Sequence, residues 1–132
     1  PLKTYVSAAL KDTDVLIERI IASSQKTSEL FRMGDEYEAF ENYANLLESL
    51  RAFIQFVNTA AQTTQWDPAA QSTSGASVNE EWERLQEIIQ ELGNVQDEGD
   101  LILLAGLLEY ELYPALSRWQ DIFKQKAQIF DS

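Results

Sequence analysis

"GDLILLAGLLEYELYPALSRW", residues 99–119, decides how this chain folds. Gly99-Asp100 is turn chemistry, since glycine accepts the left-handed backbone that ends a helix and aspartate caps the next one. At about 100° per residue, Leu101, Ala105, Leu108, Leu112, Leu116, Trp119, Phe123 and Phe130 fall on one stripe. The stripe stays in phase across Pro114, so the segment reads as one long helix kinked at Pro114. Pro114 itself lies opposite the stripe, where a missing N–H and a ring clash do least harm.

Three more helices follow from working outward. Residues 78–97 place Val78, Trp82, Leu85, Ile88, Ile89 and Leu92 at helical spacing, opened by a Ser77/Glu80 capping box. Residues 4–33 carry Val6, Leu10, Ile17, Ile20, Ile21 and Phe31 on one face, and Gly34 ends them. Asp35 with Glu38 is a second capping box, starting a helix over 35–65 that faces inward through Phe40, Tyr43, Leu47, Leu50, Ile54, Val57 and Ala61. The fourth helix spans 100–130. Between the hairpins lies "TTQWDPAAQSTSGAS", polar and small, read as a loop over 66–77. The expected fold is all-α: a single-domain antiparallel four-helix bundle made of hairpins over about 1–65 and 78–132.

Composition narrows the function. Ten basic against 22 acidic residues give a net charge of −12, which opposes nucleic-acid binding because phosphates need cations. Residues 67–98 set eight carboxylates against Arg84 alone, a solvated helix face or a docking surface for a basic partner. Without cysteine there is neither a disulfide framework nor thiol chemistry, and without histidine neither the usual triads nor Cys/His zinc sites can be built. Glu-x-x-His di-iron ligation is likewise ruled out, and no Ca²⁺-loop or phosphate-cradling pattern occurs. No catalytic, cofactor-binding or metal-binding residues are therefore assigned, and an enzyme is not expected. The longest apolar run, Leu101 to Leu108, falls far short of the roughly 20 residues of a membrane span, and no charged-then-apolar leader opens the chain. No membrane association is expected, and the expected compartment is the cytoplasm.

Two features of the opening stretch point to a site. Glu109 falls near the centre of the apolar stripe, where a carboxylate must be hydrogen-bonded, paired or protonated. It is expected to be buried, with Arg51, Tyr5, Tyr37, Tyr43 or Tyr113 as partner, in a structural network, a functional role or a solvent-reaching position. Glu111 points outward. Leu103, Leu107 and Tyr110 lie opposite the stripe, leaving the first half of the fourth helix apolar all round. That face is expected to meet a protein partner or a second copy, unless the loop bearing Trp66 folds over it. Phe56, on the outer face of the second helix, is a weaker interface candidate.

The tail quoted above, with "FRMGDEYEAFENYANLLESLRAFI", resembles a family of small uncharacterised helical proteins of bacteria through a "D…L…LLEYEL.P.L..W" signature from Asp100 to Trp119. In size and helical build the chain also resembles flagellar and secretion chaperones, a likeness of fold type. Neither resemblance implies catalytic residues. The expected function is a non-enzymatic interaction module, chaperone- or adaptor-like, docking through the outer face of the fourth helix. The alternative is an acidic antagonist that sequesters a basic partner through the third helix.

Overall fold

The computed structural model describes residues 2–64 and 77–131. Within them run α1 (Leu2–Met33), α2 (Glu36–Thr64), α3 (Val78–Glu98), α4 (Leu101–Leu107) and α5 (Tyr113–Asp131), with a π-helical turn at Leu108–Leu112 joining the last two. α4, the π turn and α5 form one kinked rod, the fourth member of an all-α bundle. The loop expected at 66–77, Trp66 included, falls almost wholly outside the described residues, as do the side chains of Tyr5, Val6, Leu10, Ala61 and Phe130.

The turns follow from local chemistry. Gly34 takes φ +83°, and the Asp35 N–H then closes the helix end on the Leu30 carbonyl at 3.2 Å. Asp35 Oδ1 accepts from the Glu38 N–H at 3.3 Å, capping α2. At the other hairpin Gly99 has φ +76°, and Asp100 Oδ1 accepts from the Leu103 N–H at 3.0 Å. Ser77 Oγ caps α3 through the Glu80 N–H at 3.0 Å.

The kink at Pro114 takes a specific form. Proline has no N–H to give, and its ring would strike the Tyr110 carbonyl in a regular α-helix. The chain widens instead into a π turn, closed by a bond from the Tyr113 N–H to the Leu108 carbonyl. α1 lies antiparallel against this region. Ser24 Oγ donates to the Leu108 carbonyl at 3.2 Å and Ser28 Oγ to the Ala105 carbonyl at 3.1 Å. Small buried hydroxyls let the two backbones approach, and each hydroxyl satisfies its own polarity on the rod.

Each helix buries a seven-residue pattern. On α2 it is Ala39, Tyr43, Leu46, Leu50, Phe53 and Val57, rotated from the expected face: Phe40 is exposed, and Leu47 and Ile54 are only half buried. On α3 it is Val78, Glu81, Leu85, Ile88, Leu92 and Val95, with Trp82 and Ile89 at its edge. α2 packs on α1 and α3 on the fourth rod, while α1 and the rod pack on each other. Among the described residues the backbones of α2 and α3 do not approach, and large rings cross the gap: Phe53 to Trp119 at 5.8 Å and Trp82 to Trp119 at 6.3 Å between centroids.

Tyr43 is buried, and its hydroxyl finds no hydrogen-bond partner among the described residues. Burial pushes its pKa up to about 12, since the phenolate cannot be solvated there. A raised native pKa means that the stabilisation is fully present below the unfolded value near 10 and is lost as pH rises from about 10 through about 12. Tyr43→Phe removes the orphan hydroxyl, so urea melts are expected to show unchanged or higher stability, by up to about 1 kcal/mol. Absorbance titration should also lose the ionisation near pH 12. A clear destabilisation would mean that the hydroxyl is bonded.

Candidate docking surface

The outer face of the fourth rod is narrower than the helical wheel suggests. Leu103 is 47% exposed and Tyr110 is 69% exposed, as expected for an outward face. Leu107 is not outward: it is buried at 7% exposure. The rod packs against both α1 and α3, so its buried arc is wider than one stripe, and Leu107 falls inside it. Ile102, missed in the sequence reading, is exposed beside Leu103. Its position two residues after the Asp100 cap was the available signal. Phe56 is also corrected, since it is partly buried and its ring lies 5.9 Å from that of Phe123. The visible surface therefore comprises Ile102, Leu103, Tyr110 and the partly exposed Tyr113.

Glu109 departs from its expected burial. Its side chain is 41% exposed, and its carboxylate accepts a hydrogen bond from Arg32 of α1 rather than from any partner proposed for it. The π turn brings Glu109 to the seam between the two helices instead of the stripe's centre. Arg32 also lies over the Tyr110 ring, 6.0 Å from its centroid. The Glu109 hydrogen bond raises the guanidinium's pKa. Exposed pairs of this kind contribute little to folding. Glu109→Ala and the exposed Glu111→Ala are accordingly expected to melt close to the parent protein and to each other. A markedly larger loss for Glu109→Ala would place that carboxylate back in the core.

Gln25, Ser28, Glu29, Arg32, Glu109, Tyr110 and Tyr113 together line a groove along this seam. The π turn forms its rod-side wall, and such turns are frequent at functional sites. The groove offers aromatic faces, carboxylates and one guanidinium already engaged by Glu109.

The buried carboxylate that the sequence reading assigned to Glu109 belongs to Glu81. Its side chain is 3% exposed, and both carboxylate oxygens accept from Arg118 Nε, at 2.9 and 2.8 Å. Glu81 occupies a core position of the α3 pattern between Val78 and Leu85, and that spacing was the signal. Among the described residues no group of three or more histidine, cysteine, aspartate or glutamate side chains is placed to hold a metal ion. Nor is any helix among them long and apolar enough to cross a membrane.

Residues 8–122 match the family model described as "Domain of unknown function (DUF8042)", and the chain belongs to that family. No curated protein and no solved structure matches it.

Proposed function

We propose that this member of the DUF8042 family is a non-enzymatic, adaptor- or chaperone-like module that docks a protein partner through the outer face of its fourth rod. One observation carries the reading: Ile102, Leu103 and Tyr110 stay exposed on a rod that buries Leu104, Leu107, Leu108, Leu112 and Leu116 almost completely. Burying such side chains against a partner gains roughly 25 cal/mol per Å², and tyrosine is well suited to anchor an interface. The acidic-antagonist reading keeps some support, because Glu80, Glu83, Glu87 and Glu91 are exposed on α3. It is weakened by Glu81, whose charge is turned inward and neutralised by Arg118.

The test compares the parent protein with Leu103→Glu and Tyr110→Glu as baits in the cells that make the protein. The expected result is a stoichiometric partner retained by the parent and lost by both variants, with circular dichroism melts unchanged. Light scattering of the same three proteins identifies a second copy as that partner. Identical captures and identical masses for all three would contradict the reading.

A further inference from the structure

The charge of this protein is unevenly placed, and its exposed apolar residues sit where the charge is. Stretches 33–50 and 85–117 hold twelve of the 22 acidic residues and none of the 10 basic ones, so the remaining ten acidic residues are matched by all ten basic ones. Among the described residues, the large apolar side chains left exposed are Val15, Met33, Tyr37, Phe40, Ile102, Leu103, Tyr110 and Tyr113. All but Val15 fall within those two stretches.

The fold brings the two stretches together. Ser28 sits against Ala105 and Ser24 against the Leu108 carbonyl, so the C-terminal end of α1 lies beside the N-terminal end of the fourth rod. The Gly34 and Gly99 turns therefore share one end of the bundle. At that end Tyr37, 83% exposed, and Phe40 line a shallow depression with Glu36 and Glu41. Asp97, Glu98 and Asp100 precede Ile102 and Leu103 in sequence, and all three are exposed. On the adjoining part of α1 the cations are Lys26 and Arg32, and Glu109 engages the Arg32 guanidinium; Arg51, Arg84 and Arg118 stand just beyond the two stretches.

We infer that the turn end of the bundle receives a cationic amphipathic polypeptide segment, its apolar side chains seated on Tyr37, Phe40, Ile102 and Leu103 and its lysines or arginines facing the surrounding carboxylates. The inference rests on the docking reading above and names the partner's chemistry. A second copy is the wrong occupant, because two such ends would set uncompensated carboxylates face to face. Anionic lipid and nucleic acid are repelled for the same reason. A neutral apolar segment would leave the carboxylates desolvated without partners, which costs free energy. A segment with cations around an apolar strip satisfies both features at once.

The probe is a fluorescently labelled helical peptide of about 18 residues, built from leucine and lysine in an amphipathic pattern. Two companions keep its length: one with glutamate for lysine, the other with serine for leucine. Anisotropy titrations are expected to show binding of the leucine–lysine peptide alone, weakening as NaCl rises from about 0.05 to about 0.5 M. Tyr37→Ser/Leu103→Ser is expected to weaken binding roughly tenfold, and Glu36→Gln/Glu41→Gln/Asp97→Asn to do likewise. Glu80→Gln/Glu83→Gln, at the far end of α3, is expected to change it little. All these positions are exposed, and thermal melts confirm that each variant folds. If the far-end variant weakens binding as much as the turn-end charge variant, the attraction is generic and the inference fails. If the apolar variant matters and the turn-end charge variant does not, docking stands and the cationic partner is overturned. If neither matters, both readings fall.

Discussion

Trp119→Ala is expected to cost about 3–5 kcal/mol, among the largest losses of any single substitution in this chain. Trp119 is completely buried, and its ring meets Phe53 of α2 at 5.8 Å, Trp82 of α3 at 6.3 Å and Phe123 at 5.9 Å. Elsewhere in a bundle a lost side chain opens a cavity between helices that still touch. Here α2 and α3 make no close backbone approach among the described residues, and the indole packs between Phe53 of the one and Trp82 of the other. Its removal combines lost transfer free energy, a cavity and the loss of edge-to-face ring contacts. Urea melts monitored by circular dichroism measure the loss. A cost near that of a surface substitution would mean that α2 and α3 close the gap directly.

The second large effect is electrostatic and asymmetric. Arg118→Ala leaves the Glu81 carboxylate in the core without its counter-charge, and a loss of about 3 kcal/mol is expected. This is the low end for breaking a buried pair, because Arg118 keeps 25% exposure and its deletion admits water. Glu81→Ala leaves an arginine that can turn to solvent, so a smaller loss, about 1–2 kcal/mol, is expected. Replacing both, as Glu81→Leu/Arg118→Met, removes the desolvation cost along with the attraction and is expected to be neutral or stabilising. Equal losses for the two single variants would show that the pair is exposed rather than buried.

The sequence was most informative where structure is local. Gly34, Asp35, Ser77, Gly99 and Asp100 do their work within a few residues of themselves, and each does what its type predicts. Apolar periodicity located the helices and kept the fourth rod in one piece across Pro114. It missed the quantities set by neighbours. Leu107 and Leu103 look alike on a wheel, and only the presence of both α1 and α3 around the rod buries the first and not the second. Phe40 and Ile54 outrank Ala39 in hydrophobicity and draw the expected α2 face toward themselves, yet Ala39 is the residue that is fully buried. Glu109 and Glu81 exchanged roles for the same reason: a cation 77 residues away meets the first, and one 37 residues away meets the second. The serines of α1 were invisible to an apolar search, although Ser24 and Ser28 seat the rod.

The docking site was legible in part. Of the residues expected on the outward face, Leu103 and Tyr110 are exposed, Leu107 is buried and Phe56 is partly buried, while Ile102, Tyr37 and Phe40 are exposed without having been expected there. That the two turns share one end of the bundle already follows from the expected antiparallel arrangement, and the pairing of α1 with the rod places them there. What the sequence concealed was which side chains stay exposed at that end.

The central claim is that this end of the molecule is where a partner sits. A photo-crosslinking amino acid placed at Leu103, and in parallel at Glu83 on the outer surface of α3, tests it in the cells that produce the protein. The claim predicts a discrete ultraviolet-dependent adduct of one size from position 103 and none from position 83. Adducts of the same pattern from both positions, or from position 83 alone, would contradict it.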